Sequence, residues 1–133
     1  MLTIRAATMD DARRLFEWRN DPLTRAMSFS SEEIEWDRHV SWLERRLSQE
    51  KPNLYIAEMR TVPIGTFRID DDEISYTVAP QHRRNGLATA MLVEARHLFG
   101  VKRAKIKPEN IASIRAAKSA GHEVIILPNV GQP

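Results

Sequence analysis

Six consecutive residues, Arg83-Arg84-Asn85-Gly86-Leu87-Ala88, set two guanidinium groups beside a glycine at the point where the chain changes period. Upstream, Ile74, Tyr76 and Val78 alternate with Glu73, Ser75 and Thr77, the period of a strand. Pro80 cannot donate a ladder hydrogen bond, so the strand stops there. Downstream, Leu87, Met91, Ala95 and Leu98 recur at helical spacing. A strand, a basic turn and a helix opening on glycine can hold an anion. The first helical turn has unpaired N–H groups and the positive end of the dipole, and Gly86 keeps no side chain in the way of a phosphate. The same residues also read as a basic turn closing a core strand. Neither G-x-x-x-x-G-K-[ST] nor G-x-G-x-x-G occurs, which removes two familiar nucleotide loops.

Other residue types able to do chemistry lie in the first third. His39, with an ordinary pKa of about 6.5, suits proton transfer near neutrality, though it neighbours the apolar run Trp36–Leu43 and equally reads as structural. Arg19 and Arg25 could pair with a diphosphate through their planar forks, or lie on a solvated face. Trp18 and Trp42 could wall a pocket, but their spacing equally fits core packing. His82 sits in the basic turn as a contact.

These groups need elements to position them. At 133 residues the chain is long enough for one domain with a real core, expected over 1–127 with a loose tail over 128–133. Apolar content of 42% and charged content of 29% are those of a globular protein. No membrane span or signal-peptide pattern is present, and absent cysteine excludes disulfides, thiolate metal sites and a cysteine nucleophile, so a cytoplasmic protein without a metal is expected. A net charge of +2 without a long Lys/Arg run argues against nucleic acid as a partner.

In order, Leu2–Arg5 reads as a strand. A helix capped by Thr8 or Asp10 runs to about Asn20 and ends at Asp21-Pro22, with Ala12, Leu15 and Phe16 inward. Leu23–Phe29 reads as irregular or a helical turn. Ser30-Ser31-Glu32-Glu33 starts a second helix to about Gln49, with Trp36, Val40, Leu43 and Leu47 inward. Strands 54–59, 64–69 and 73–79 form an antiparallel meander. The Gly86 helix reaches Gly100. Strand 103–107 returns parallel to the central strand by a right-handed crossover. A last helix, about Ile111–Ala120, ends at Gly121 before a strand over 122–127.

Arg83-Arg84-Asn85-Gly86-Leu87-Ala88 in this strand–turn–helix context resembles the R/Q-x-x-G-x-G/A signature of the GNAT superfamily of acyl-CoA-dependent N-acetyltransferases. Asn110-Ile-Ala-Ser113 with Lys118-Ser-Ala-Gly121-His122 resembles the family's second motif, and the element order matches from Leu2 to about Leu127. The resemblance implies a mixed α/β (α+β) fold: a mostly antiparallel central sheet, splayed at the acyl-CoA site and flanked by four helices. The family's usual seventh strand is missing or vestigial, so a neighbouring subunit could cover that edge as a homodimer.

The same resemblance implies acetyl-CoA as co-substrate, held by Arg83, Arg84, Asn85, Gly86, Leu87, Ala88 and Thr89, by backbone of Thr77, Val78 and Ala79, and by Asn110 and Ser113. Asn110 also reads as a plain helix cap. Glu73 stands where several members keep a carboxylate base, with a turn carboxylate beside Asp70–Asp72 as its other reading; His39 is the alternative base. Many members carry a tyrosine four residues before the glycine; that position is Ala117, leaving Ser113 or Tyr76 to protonate the leaving thiol. Trp18-Arg19-Asn20, Arg25-x-x-Ser28, Glu32-Glu33 and His39-x-x-Trp42 resemble the branch acetylating the 4-amino group of nucleotide-linked sugars in pseudaminic-acid pathways, and less closely the branch acetylating ribosomal-protein N-termini. Arg19, Asn20, Arg25, Ser28, His39 and Trp42 are then the expected substrate contacts, and the partner a small-molecule amine. A module that binds acyl-CoA without turnover is the other class of function.

Overall fold

The alternating segments pair into one sheet, as the sequence implies. A computed structural model describes residues 2–128. Its six strands lie in chain order: β1 (Leu2–Ala6), β2 (Leu54–Met59), β3 (Val62–Asp70), β4 (Glu73–Val78), β5 (Arg103–Ile106) and β6 (Glu123–Ile126). β1 to β4 are antiparallel, while β5 and β6 join in parallel after helical crossovers. The helices are α1 (Ala12–Asn20), α2 (Pro22–Met27), α3 (Trp36–Leu47), α4 (Leu87–Phe99) and α5 (Ile111–Ser119). Residues 129–133 of the expected tail lie outside the described residues. Among the described residues, no helix is long and apolar enough to cross a membrane.

Strand alternation divides the core between the two faces. Leu54 and Ile56 pack with Leu15, Trp18 and Leu43 beneath α1 and α3; Ala57, Phe67 and Ile74 pack with Met91, Leu92, Ala95 and Ala117 beneath α4 and α5. His122 ties the second layer together, its Nε2–H donating to the Leu92 carbonyl (2.8 Å) while Nδ1 accepts from Lys102 N–H (3.0 Å).

Three boundaries differ from expectation, each for a local reason. Leu23–Phe29 contains a true helix, α2: Pro22 occupies its first turn and the Asp21 carboxylate accepts from Thr24 N–H at 3.1 Å. The following helix begins at Trp36 rather than near Ser30. Asn20 brackets Ile34, donating to its carbonyl and accepting from its N–H at 2.9 Å each, and this holds the intervening chain out of helix. Leu98 is 57% exposed, and Phe99 takes its expected inward place, 4.9 Å from the Tyr55 ring. The helix therefore continues its buried row at i+4 from Ala95, not i+3.

α1 is fastened to the sheet electrostatically. Asp11 is fully buried; its carboxylate accepts from Thr8 N–H (2.9 Å), from both terminal nitrogens of Arg5 (2.8 Å each) and from Arg14. Burial alone would raise the Asp11 pKa; Arg5, the Thr8 N–H and Arg14 together outweigh it and hold the carboxyl below its usual range.

Candidate active site

The site begins where two strands part. β4 pairs with β3 along its length, but meets β5 only at Glu73↔Arg103. Beyond that point the β5-facing backbone of β4 has no strand partner, the splay that the family resemblance implies. Gly65 lets β3 close on this stretch, since an added Cβ would come within 2.8 Å of the Thr77 carbonyl oxygen. Two cavities of about 480 and 490 Å³ open around the splay, and Tyr76, Thr77, Asn110 and Ser113 line both.

The first cavity lies against the start of α4. Arg83, Arg84, Gly86, Leu87, Ala88 and Thr89 line it, with Thr77 and Val78 from β4, and so does His82. Gly86 caps α4 in the left-handed region, φ 71°, with nothing within 4 Å of where a Cβ would stand. The helix N-terminus is therefore open to an anion. Arg84, also left-handed at φ 66°, marks the turn as conformationally constrained.

Not every residue expected here is free for a ligand. Arg83 donates to the Asp21 carboxylate (2.5 Å) and the Thr24 hydroxyl (2.8 Å), so it ties the turn to α2. Burial acts to raise the Asp21 pKa, but Arg83 and the Thr24 N–H prevail and lower it. Asn85 lies outside the lining. Ala79 is fully buried and gives its N–H to the Ile64 carbonyl at 2.8 Å, which leaves it structural. Arg115 of α5 adds a cation to the lining. It was not foreseen, because a solvent-facing arginine on a short helix carries no distinctive spacing.

At the junction of the cavities the Tyr76 hydroxyl meets the Ser113 hydroxyl and lies 3.1 Å from the Ser113 carbonyl oxygen. Burial pushes the Tyr76 phenol up, partly offset by the Ser113 bond, so it stays protonated at neutrality. Asn110 caps α5, its Oδ1 accepting from Ser113 N–H at 3.3 Å, while also facing both cavities. The helix-cap reading is the one the structure shows. Ala117 is fully buried in the core beneath α5.

The second cavity runs from the splay to α1 and α3. Glu73 lines it, paired with Lys105 at 2.5 Å. His39 lines it too but is fully buried: Nε2–H donates to the Ala12 carbonyl at 2.9 Å, which leaves Nδ1 a bare acceptor without a partner. Burial lowers its pKa, so the ring is neutral at pH 7. Trp42, Arg19 and Ser28 also line this cavity. Asn20 and Arg25 do not: Asn20 is spent on Ile34, and Arg25 Nε donates to the Asn20 carbonyl at 3.1 Å. Trp18 is buried against Leu15 and Leu43 and still touches the cavity, so wall and core coincide there. Arg68, on β3, was missed by the sequence reading and lies over the Trp42 ring.

Comparison with known proteins gives a consistent picture. Residues 1–123 match the model of the acetyltransferase (GNAT) domain. Among solved structures, yncA of Salmonella typhimurium, with its cofactor acetyl-CoA, is 26% identical with a TM-score of 0.69, covering 91% of this chain and 79% of its own. The aminoglycoside acetyltransferase AAC(6')-Ib in complex with coenzyme A and kanamycin is 22% identical, TM-score 0.72, covering 91% and 83%. The ribosomal-protein-alanine N-acetyltransferase of Brucella melitensis is 24% identical, TM-score 0.66, covering 90% and 83%. The last two, at such identity, speak for the fold alone. No curated protein matches the chain.

Proposed function

The chain belongs to the GNAT acetyltransferase family, and from that premise we propose that it moves the acetyl group of acetyl-CoA onto the primary amine of a nucleotide-linked amino sugar, by direct attack with both substrates bound. The observation that carries the reaction is the meeting of two cavities at Tyr76 and Ser113, beside unpartnered β4 backbone. One cavity suits the co-substrate, the other the amine.

On this reading the pyrophosphate of acetyl-CoA lies on the N–H groups opening α4 at Gly86, and the arm runs past Asn110 into the splay. An N–H of Thr77 or Val78 faces the thioester oxygen, where a donor contributes about 3 kcal/mol to the transition state. As the amine nitrogen bonds the carbonyl carbon it releases a proton towards Glu73, an accessible carboxylate of the second cavity. As the C–S bond breaks, the sulfur takes a proton from Tyr76, which Ser113 orients. These two hydroxyls stand in for the tyrosine absent at Ala117. His39, buried and neutral, is the second candidate acceptor for the amine proton.

The nucleotide-sugar assignment draws on the front-segment resemblance and on the arginines of the second cavity. A competition tests it: a UDP-linked 4-amino sugar, short peptides, an aminoglycoside and free amino acids at equal concentration with limiting acetyl-CoA, read by mass. The nucleotide sugar is expected to dominate. Dominance by peptides would replace this reading with N-terminal acetylation. In the same assay Glu73→Gln should reshape the acidic limb of the kcat profile; if only His39→Gln does so, the base is the histidine.

A further inference from the structure

The cavity that receives the amine holds two arginines in an unusual arrangement. Arg19, from α1, stands over the Trp42 ring with its guanidinium carbon 5.4 Å from the ring centre. Arg68, from β3, stands over the same ring at 6.0 Å. Both line the second cavity. One arginine on an exposed tryptophan is a modest attraction. Two on one ring bring like charges together, which costs energy unless something negative sits between them. The protein supplies little. Arg68 reaches Asp70 at 3.3 Å, but Asp70 is already held by Arg46 at 2.6 Å. No carboxylate among the described residues pairs with Arg19, whose charged neighbours are Arg68 and Arg38. Glu73 is taken by Lys105. Glu32, also at the lining, makes no ion pair with either arginine.

We propose that Arg19 and Arg68, backed by Trp42, form a subsite for an oxyanion carried by the acceptor itself, a phosphate or a carboxylate. The inference rests on the acetyl-transfer reading for the amine, but not for the anion. It reassigns the expected contacts: Arg25 and Asn20 take no part, and Trp42 is a plate for guanidinium groups rather than a stacking face for a base. Planar guanidinium forks from two elements can grip one oxyanion from two sides, which a lone ammonium cannot. A small acceptor that carries both an amine and an anion fits a cavity of about 490 Å³.

The binding test needs no turnover. The full chain, with coenzyme A already bound so that the α4 site is filled, is titrated calorimetrically with inorganic pyrophosphate, with UMP and with acetate. Wild type should bind at least one of these. Arg19→Met and Arg68→Met, which keep a stem on Trp42, should each weaken that binding by about tenfold or more, and Arg68→Lys should recover part. Preference for pyrophosphate or UMP identifies a phosphate acceptor; preference for acetate identifies a carboxylate. A second arm compares an amino sugar with its 1-phosphate, and an amino acid with its methyl ester. The variants should raise KM for the anionic member about tenfold or more while leaving its neutral partner and acetyl-CoA unchanged. Failure of wild type to bind any anion, or binding unchanged in both variants, overturns the subsite even if acetylation is intact. Anion binding that depends on Arg19 and Arg68, in a protein that acetylates nothing, keeps the subsite and overturns the acetyl-transfer reading instead.

Discussion

The two cavities are built in opposite ways. The first is built around one short stretch, the end of β4, the turn and the opening of α4, residues 77–89, and is closed by residues of α2 and α5. At its centre are N–H groups, a left-handed glycine and a helix end, and Arg83, through Asp21, braces the turn against α2. The second cavity is made by side chains from distant segments: Arg19 on α1, His39 and Trp42 on α3, Arg68 on β3, Glu73 on β4 and Lys105 on β5. A backbone site can persist while sequence changes around it. A side-chain site can be rewritten without touching the fold. On the proposed reading, the co-substrate half is fixed and the acceptor half is where specificity resides.

The largest expected effect comes from attacking the backbone half at its one indispensable position. Gly86→Glu places bulk and negative charge at the open helix end, so calorimetric binding of acetyl-CoA should be lost while the far-UV spectrum persists. Gly86→Asn separates backbone from charge: asparagine tolerates a positive φ better than most residues, so it should keep the fold and retain weak binding. Unchanged affinity in Gly86→Glu removes the α4 site from the argument.

Next in size is the seam between the halves. Tyr76→Phe with Ser113→Ala should lower kcat by about 100-fold, the loss of roughly 3 kcal/mol of positioned hydrogen bonding in the transition state. Affinity for acetyl-CoA should be nearly unchanged. If affinity falls in step with kcat, the two hydroxyls belong to the binding wall of the first cavity and not to the seam.

This contrast explains what could be read from the chain beforehand. The motif at Arg83–Ala88 was legible because its parts are consecutive and its period shifts from two to 3.6 at Gly86. The strands 54–59 and 73–78 were legible from alternation, and the splay only through the family resemblance. Arg68 was invisible: one arginine in a strand differs from any other until β3 places it over Trp42 from α3. For Arg25 and Arg83, charge could be read from the sequence but partners could not: Asn20 and Asp21 are bonded to them. The start of α3 at Trp36 depended on the bond from Asn20 to Ile34, fourteen positions apart, beyond local pattern. The meeting of the Tyr76 and Ser113 hydroxyls is likewise a fact of space, not of spacing.

A third prediction tests the footing of the side-chain half. Asp11 anchors α1 to β1 through Arg5, and α1 carries Arg19. Asp11→Ala removes a buried network, leaving Arg14 without its carboxylate and Arg5 with Glu58 alone, at a cost of about 3 kcal/mol in thermal or denaturant unfolding. Because the folded Asp11 carboxyl is held below its ordinary pKa, its contribution is present above that ordinary value and is lost as pH falls through the folded one. Wild-type stability should therefore drop steeply at acid pH, and Asp11→Ala should be less stable at neutrality yet flatter below about pH 4. Equal acid slopes in the two proteins would assign acid unfolding to other carboxylates.

The smallest effect belongs to His39, and its sign is opposite in origin. Burial lowers its folded pKa, so the folded state resists a proton that the unfolded state accepts. Above the ordinary histidine pKa of about 6.5 this group costs nothing. As pH falls below that value the unfolded chain is protonated first, and stability declines until the folded pKa is reached. One proton limits the slope to about 1.4 kcal/mol per pH unit. The decline should begin well above the acid range in which Asp11 acts, so the two appear as separate steps in stability against pH. His39→Gln keeps a donor for the Ala12 carbonyl and has no proton to take up, so it should erase the first step and leave the second. The same variant bears on the acceptor half. If the bare Nδ1 is only a packing defect, His39→Gln changes stability alone. If the amine passes its proton there, the variant also lowers kcat towards neutral and anionic acceptors alike, whereas loss of Arg19 or Arg68 acts on the anionic ones alone. A stability profile with no step near the histidine range would mean that His39 accepts its proton in the folded state, and the buried neutral ring would have to be abandoned.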